Sequence, residues 1–454
     1  MNENILIKDI KRINKIAIPI LITYLTNIMF NLGDQAIIGR TSINGYTAIS
    51  VVSNLLYAIT GTLGIISLSL NIIGSKKLGQ NDFKGYSNIF STTITISLGI
   101  GIVFEIICVV FGKVILSKFY NMSGEVLQYG YIYLAISGLS ILLNTLMFIY
   151  SSYFKSIEKT SILYKASIIS SIVNIAIDYV LVFGKLGFPK LGVAGAAIGS
   201  VVGLLINTLI YLIAFKKYSN FKYSFMLKLD TIIMILRSYI PLLGQDLIES
   251  TAFIFVITAI ITKLGTVSTG AYNLISVILS IIILPIYAYG NAIITIVAKS
   301  TSENTIKFMS RIPLIAIAIV FVITFPFCMI MLIKPSLTFG IITNEALLIK
   351  TAMNSFFFGL LIQVPNIVNH IYKYSLNALE DSKWVLFYHS IIGAFSLILI
   401  YNFSINFTNG IFGIFLGLGL NYILLATGFY IRYSYIIKKD FSSVKQNLPE
   451  VKDL

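Results

Sequence analysis

Five acidic residues interrupt the long apolar stretches of this sequence, namely Asp34, Glu105, Asp178, Asp246 and Glu249. A carboxylate within the hydrocarbon region of a membrane is costly, so each one needs a partner or a function. Carboxyl groups in that setting bind cations or carry protons. The alternative is a residue near a helix end that bonds to a neighbouring helix. We give Glu105 this second interpretation, because the sequence offers it no companion.

Asp34 and Asp178 share a depth in the membrane, since each lies near the outer end of an outward-running stretch. Asn174 precedes Asp178 by four residues and therefore shares its helical face. Ser200, about two turns into the next stretch, reaches a similar depth. These oxygen-rich side chains suit Na⁺, or a proton, because two crowded carboxylates resist being charged together. The sequence favours a cation-coupling site at Asp34, Asn174, Asp178 and Ser200 over a purely structural polar network.

Asp246 and Glu249 are three residues apart in the segment GQDLIESTAF, in the middle of an apolar stretch. Carboxylates at this depth suit recognition of a cationic substrate or a second coupling site. His370, together with Lys373, could pair with them from another stretch. The sequence allows two roles for His370: a structural partner that neutralises charge, or a site that titrates.

Helices must position these residues. The chain has 454 residues, of which 57% are hydrophobic and 11% are charged, and its mean hydropathy is +0.90. A helix needs about 20 apolar residues to cross a membrane, and an open sheet cannot satisfy its edges in lipid. The sequence predicts an all-α integral membrane protein with twelve transmembrane helices, at residues 13–38, 46–73, 87–112, 126–153, 162–184, 192–215, 234–262, 270–298, 310–333, 348–376, 384–404 and 411–437.

The basic residues divide unevenly between the two sides of the predicted membrane. With the N-terminus in the cytoplasm, 25 of the 33 Lys and Arg fall inside, which follows the positive-inside rule. The other eight fall outside, at Arg40, Lys113, Lys118, Lys185, Lys190, Lys263, Lys334 and Lys350. This distribution predicts cytoplasmic termini and accounts for the net charge of +15 without a nucleic-acid partner.

Two halves of the sequence resemble each other at a nearly fixed offset. Pro19 recurs as Pro241, and the link SIEKTS after the fourth stretch recurs at the same offset as ALEDSK. Repeats of this kind are typical of secondary transporters, whose substrate site lies between the repeats. We therefore predict an N-terminal lobe at residues 1–219, with an inner linker to about residue 230, and a C-terminal lobe at residues 220–454.

Glycine spacing adds a packing signal. Gly195, Gly199 and Gly203 follow the pattern G-x-x-x-G-x-x-x-G, and Gly413 and Gly417 repeat it near the C-terminus. Small residues at this spacing let transmembrane helices approach closely.

Several function classes find no support in the residues. The first apolar stretch is too long for a cleaved signal peptide, and Cys108 and Cys328 lack a spacing suited to metal or redox chemistry. The chain contains no phosphate-binding loop for ATP and no nucleophile–base arrangement, so we expect neither an enzyme nor a cofactor. Energy would then come from an ion gradient, from the gradient of the substrate itself or from a partner ATPase.

Along nearly its whole length the chain resembles the multidrug and toxic compound extrusion (MATE) transporters. The intramembrane acidic residues and their neighbours carry the resemblance. The segment Asn174, Asp178 and Gly192 to Ser200 is similar to the family's N-x-x-x-D…G-x-x-G-A-A element, and Asp34–Gly39 and Pro241 with Glu249 are similar to two further elements. Some relatives carry an acidic residue where this chain has Asn366.

The resemblance implies a V-shaped pair of six-helix lobes in a bacterial plasma membrane. It implies a monomeric antiporter that exports organic, often cationic, drugs, toxins or metabolites against inward Na⁺ or H⁺. Asp34, Asn174, Asp178 and Ser200 would hold the cation, and Glu249, Asp246 and His370 would serve substrate binding or a second coupling site. The expected partners are a small organic substrate, the coupling cation and membrane lipid. The alternative is a flippase for lipid-linked oligosaccharides or peptidoglycan precursors, for which the chain has few cations in mid-helix.

Overall fold

The structure, a computed structural model, describes residues 3–39, 42–219, 221, 223, 227–301 and 306–446. Within these residues the secondary structure is helical. The helices are α1 (Glu3–Ile38), α2 (Ile43–Gly79), α3 (Phe83–Lys118), α4 (Gly124–Ser137), α5 (Leu139–Ser156), α6 (Ser161–Phe183), α7 (Val193–Tyr218), α8 (Leu229–Asp246), α9 (Phe253–Thr262), α10 (Thr266–Ser300), α11 (Ile306–Ile333), α12 (Pro335–Gly340), α13 (Ala346–Leu361), α14 (Gln363–Ala378), α15 (Ser382–Tyr401) and α16 (Gly410–Gln446).

The predicted membrane spans are confirmed as helices. Ten helical spans in the described part of the chain are long and apolar enough to cross a membrane, and the bent pair α13–α14 makes an eleventh. Helix α1, which carries Asn27 and Asp34 in its second half, completes the set of twelve. The protein is therefore a multi-pass membrane protein.

Several spans are interrupted by a short break, a bend or a π-helical turn. Gly138 separates α4 from α5, and the chain bends by 44° between α13 and α14, where Pro365 lacks the N–H that a helix interior requires. A π-helical turn, Leu247–Ala252, joins α8 to α9. A second π-helical turn, Asn402–Asn406, follows α15.

The helices form two compact units. The first unit runs Ile18–Tyr239, and the second unit combines Met1–Ala17 with Ile240–Leu454. The unit boundaries fall inside α1 and α8, beside the repeated Pro19 and Pro241. In the second unit, the start of α1 is held by an ion pair of 2.7 Å between Asp9 and Arg311.

The internal repeat extends to the packing of the two units. Helix α6 packs against α7 in the first unit as α15 packs against α16 in the second. Glu158 and Glu380, which occupy repeated positions, both adopt a left-handed backbone with φ of 58° and 64°. That conformation normally favours glycine, so both links keep the same strained turn with the same residue.

Parts of the sequence-based topology stay predictions. The cytoplasmic orientation of the termini and the lobe boundary at residue 220 are among them. Arg40, Lys222 and Lys452, which entered the charge distribution, lie outside the described residues, as does residue 220 itself.

Candidate functional site

The first unit brings Asp34 of α1 together with Asp178 of α6. We refer to Asp34, Asn174 and Asp178 as the Asp178 site. The carboxyl groups of Asp34 and Asp178 lie near enough to each other for an electrostatic interaction. Asn174 Nδ2 donates a hydrogen bond of 3.2 Å to Asp178 Oδ2, as the i, i+4 spacing predicts.

Asn174 and Asp178 of the Asp178 site are buried and Asp34 is half-buried, and the site lacks a compensating cation among the described residues. Asp178 is fully buried, and the Oδ1 atoms of both aspartates accept no hydrogen bond from the described residues. Tyr133 of α4, itself buried, lies near both carboxyl groups and accepts a hydrogen bond of 3.3 Å from Ser53. Two adjacent carboxyl groups without a basic partner can bind a proton or a metal cation between them.

Glycines of α7 hold α6 in place beside this site. A Cβ atom at Gly199 would overlap Asp178 Oδ1, and one at Gly203 would lie 2.8 Å from the Cβ of Asn174. Gly195 approaches the backbone of Leu181 in the same way. The close approach predicted from the glycine spacing is confirmed, and it places the backbone of α7 directly against the acidic residue.

Ser200 follows Gly199 in α7 but does not join the site through a hydrogen bond. Its side chain is half-buried, and among the described residues it has no hydrogen-bond partner. Its part in a cation site stays a prediction.

The second unit gathers a different set of charges around Glu249. We refer to Glu249, His370, Lys373 and His389 as the Glu249 site. Lys373 Nζ lies 2.5 Å from Glu249 Oε2, His370 Nε2 lies 3.6 Å from Oε1, and His389 Nδ1 lies 4.0 Å from Oε2. The three basic side chains are 6% to 8% exposed, whereas that of Glu249 is 27% exposed. The predicted pairing of Glu249 with His370 and Lys373 is present. The site also contains His389, the other histidine of the chain, which the sequence did not predict.

Three interrupted spans position the Glu249 site. Glu249 lies on the π-helical turn between α8 and α9, a feature often found at functional sites because it redirects side chains. One turn earlier, Gln245 and Asn377 exchange side-chain amide hydrogen bonds of 3.2 and 3.0 Å. Gln245 also donates to the Ser382 carbonyl at 2.9 Å. These bonds fix α8, α14 and α15 in one register.

The two remaining intramembrane acids lie apart from direct contact with these sites. Asp246 Oδ1 accepts a hydrogen bond of 3.1 Å from Ser250, and its carboxyl group lies near enough to Glu249 and Lys373 for an electrostatic interaction. Glu105 lies against Gly138 at the break between α4 and α5. Its Oε2 atom is buried without a hydrogen-bond partner in the described part of the chain.

Sequence reasoning missed two neighbours of these sites, Tyr133 and His389. The signal for His389 was present in the repeat, because the offset that relates Pro19 to Pro241 also relates Ser167 to His389 and Asn27 to Glu249. Ser167 donates a hydrogen bond of 2.7 Å to Asn27 Oδ1, so the paired positions touch in both units. No comparable signal identifies Tyr133.

The sequence model of the MatE family matches residues 19–180 and again residues 241–404. This chain belongs to the MatE family. The two matches begin at Pro19 and Pro241, the residues that begin the sequence repeat.

Curated relatives and solved structures agree with this assignment. The chain is 24% identical over 307 residues to the probable multidrug resistance protein YoeA of Bacillus subtilis strain 168, a match that spans 65% of each chain. It is 22% identical over 437 residues to a probable multidrug resistance protein NorM of Photorhabdus laumondii, over 92% of this chain and 94% of that relative. A multidrug resistance MATE family transporter of the MOP superfamily, solved in an outward-facing conformation, superposes with a TM-score of 0.85 at 15% identity. That match covers 96% of this chain and 97% of the other, and it supports the fold.

Proposed function

We propose that this chain is a cation-coupled antiporter that exports organic compounds across a bacterial plasma membrane. The observation that carries the proposal is the Asp178 site, in which the fully buried carboxyl group of Asp178 lies near the half-buried Asp34 within membrane-spanning helices and without a basic partner among the described residues. An uncompensated acidic pair in lipid is costly unless a cation or proton binds it for part of a transport cycle. The names of the relatives, among them a multidrug export protein of Staphylococcus haemolyticus, support export of drug-like compounds.

The Asp178 site offers ligands for either coupling ion. Carboxylate and amide oxygens are hard donors of the kind that hold alkali and alkaline-earth cations, and Ser200 would complete a Na⁺ set after a change of its side-chain rotamer. A proton would instead be shared between Asp34 and Asp178, because a hydrogen bond between carboxyl groups requires one of them to be protonated. The two ions thus make different demands on Ser200.

The Glu249 site is the counterpart that we assign to substrate. Glu249 is the most exposed member of its cluster, and we therefore assign the first contact with a ligand to its side chain. Asp246 and His370 would contribute at its edge, as the sequence predicts.

A flippase of anionic lipid precursors is less well supported. Such a protein needs cations that are available to phosphate groups. Lys373, the lysine of the Glu249 site, instead forms an ion pair with Glu249. Its charge is therefore cancelled where a phosphate would have to bind.

Transport by proteoliposomes with separately imposed gradients tests this proposal. Efflux of at least one of two organic dyes, one cationic and one zwitterionic, should respond to a Na⁺ gradient or to a pH gradient. Asp178→Asn should abolish that response, because it removes the charge that binds the ion. Asp230→Asn, at an exposed position in the first turn of α8, is the matched control and should behave as wild type. Gradient-driven efflux by Asp178→Asn at the wild-type rate would overturn the site assignment, and the absence of efflux by wild-type protein under either gradient would overturn the antiporter.

If Na⁺ is the coupling ion, Ser200→Ala should weaken its apparent affinity, whereas a proton-coupled protein should be unaffected by this change. The same preparation therefore separates the two ions.

A further inference from the structure

The charges of the Glu249 site do not match those of a simple receptor for cations. Three basic side chains surround one carboxylate, and the nearest is the Lys373 ammonium, 2.5 Å from Glu249 Oε2. His370 and His389 lie 3.6 and 4.0 Å from the same carboxylate. A free cation approaching Glu249 would meet a bound ammonium group at its target.

The ammonium group has little freedom to leave. The Lys373 side chain is 8% exposed, and its Nζ also lies 5.6 Å from the centre of the Tyr374 ring, in a cation–π arrangement. Displacing Lys373 from Glu249 would separate the half-buried carboxylate from the ammonium group nearest to it, which is strongly unfavourable. A ligand that replaces one partner alone would incur this cost.

A ligand that carries both charges avoids it. Its cationic group can form an ion pair with the Glu249 carboxylate while its anionic group forms one with the Lys373 ammonium. Both side chains then keep a neighbour of opposite charge. The number of ion pairs rises and the net charge of the site stays the same. A dipolar ligand is therefore the class that exchanges with this ion pair at the lowest cost.

The first unit shows that the repeat does not require these charges. At the repeat offset, the positions that correspond to Glu249, Lys373 and His389 hold Asn27, Ser151 and Ser167. Asn27 and Ser167 make a neutral hydrogen bond of 2.7 Å there. The charged cluster is thus a property of the second unit and not of the helical frame.

We propose that Lys373 is a tethered cation that closes Glu249 to free monovalent cations and restricts the Glu249 site to zwitterionic organic ligands. This inference rests on the proposed function only in treating the ligand as a transported substrate. The selectivity itself is a binding property and does not depend on coupling or export.

Binding of a matched pair of dyes tests the selectivity. Tetramethylrhodamine carries a free carboxylate beside its cationic ring system, and its methyl ester carries the cation alone. Purified wild-type protein should bind the free acid about tenfold more tightly than the ester, because only the acid compensates both charges. Fluorescence polarisation in detergent measures both dissociation constants.

Lys373→Met should invert this preference, because it removes the cation that binds the carboxylate and exposes Glu249 to the ester. Lys373→Arg should retain it. Lys350→Met, at an exposed position of α13 in the same unit, is the control and should match wild type. Tighter binding of the ester by wild-type protein, or an equal loss of both dyes in Lys373→Met, would overturn the proposal.

A double variant covers the case in which Lys373→Met does not fold. Lys373→Met with Glu249→Gln removes both charges together and should bind the two dyes with similar affinity. Persistent preference for the free acid in this variant would place the selectivity elsewhere and refute the tethered cation.

Thermal stabilisation by Na⁺ tests whether Lys373 prevents free cations from binding to Glu249. In an Asp178→Asn background, Na⁺ should stabilise the protein against heat no more than N-methylglucamine at equal ionic strength. Adding Lys373→Met should create a Na⁺-specific stabilisation, and adding Glu249→Gln should remove it again. Na⁺-specific stabilisation with Lys373 intact, abolished by Glu249→Gln, would contradict the proposal.

The binding and transport experiments fail independently. Protein that prefers the free acid but exports neither dye under any gradient would refute the antiporter and leave the tethered cation standing. Gradient-driven export of the ester in preference to the free acid would refute the tethered cation and leave the antiporter standing.

Discussion

The first and second units share a repeated helix packing but have their charged residues at different positions of the repeat. In the first unit Gly199 lies against Asp178, and in the second unit Gly417 lies against Ile400, at the corresponding place in the repeat. The same contact is therefore acidic in one unit and apolar in the other.

A second repeated contact shows the reverse. Asn27 and Ser167 form a neutral hydrogen bond in the first unit, whereas Glu249 and His389 approach to 4.0 Å at the corresponding positions of the second. Each unit thus has a charged centre at a place where the other is neutral. The comparison teaches that packing positions were retained through the duplication while charge was redistributed, leaving one acidic site open to a cation and one already filled by a lysine.

The largest expected effect comes from separating the charges of the Glu249 site. Lys373→Met should lower the free energy of unfolding by about 3 kcal/mol, because it leaves a partly buried carboxylate unpaired. The corresponding neutral contact should matter less, and Asn27→Ala should cost about 1 kcal/mol for its single hydrogen bond. Unfolding titrations in mixed micelles measure both.

Adding Glu249→Gln to Lys373→Met should recover most of the lost stability, since neither member of the Glu249–Lys373 ion pair is then left without the other. If the double variant were as unstable as the sum of the single variants, the comparison between a charged and a neutral contact would fail.

The glycine contacts provide the next largest effect. Gly199→Ala and Gly417→Ala should each cost about 1–3 kcal/mol, because the new methyl group overlaps the facing helix. Only Gly199→Ala displaces a carboxyl group, so it alone should also impair gradient-driven efflux. Equal effects of the two variants on coupling would show that the contact between Gly199 and Asp178 has no particular part in coupling.

A smaller effect is expected at the link after α14. Arg432 Nε and Nη2 donate to the two carboxylate oxygens of Asp381 at 2.7 and 3.2 Å, and the guanidinium lies 5.2 Å from the Trp384 ring centre. The pair is partly exposed, so Asp381→Asn should cost about 1 kcal/mol. The corresponding residue of the first unit is Lys159, where Lys159→Met should change stability less. Thermal unfolding of the two variants gives the ranking, and a larger loss for Lys159→Met would reverse it.

The smallest effect concerns pH at the turn between α2 and α3. Lys77 Nζ donates to Asp82 at 2.8 Å and the Gly85 amide donates at 2.8 Å, and together they hold the pKa of the Asp82 carboxyl below its ordinary value. A lowered pKa in the folded state adds stability above the pKa of the unfolded chain, and this is lost as pH falls through the folded value.

The stability difference between wild type and Asp82→Asn should therefore be present at neutral pH and vanish in acid. At the same repeat offset the second half has Asn304, which lies outside the described residues and cannot titrate. A difference that grows in acid, measured by thermal unfolding across pH, would contradict this assignment.

The sequence was sufficient for the spans because apolar length alone specifies a membrane helix. Asp34, Asn174 and Asp178 were also predictable, since depth along straight helices and i, i+4 spacing determine where they meet. The contribution of Lys373 was harder to predict. It lies near the end of α14, where the charge distribution assigns it to the cytoplasmic side, yet its ammonium group pairs with Glu249, 124 residues earlier in the chain.

His389 and the π-helical turn were beyond local patterns for a related reason. A π-helical turn leaves no clear periodicity in a sequence. Glu249 lies on such a turn and contacts His370 and Lys373 of α14 and His389 of α15. Tyr133 approaches the Asp178 site through tertiary packing alone.

The boundaries between the units, beside Pro19 and Pro241, determine what happens when the chain is split into two polypeptides. Residues 3–17 belong with the second unit, and residues 229–239 belong with the first. Neither half of the gene therefore encodes a complete unit, and each half supplies a segment that the other needs. Two polypeptides produced by a break in the linker should restore the protein when expressed together, whereas either one alone would be an incomplete folding unit that cellular proteases remove.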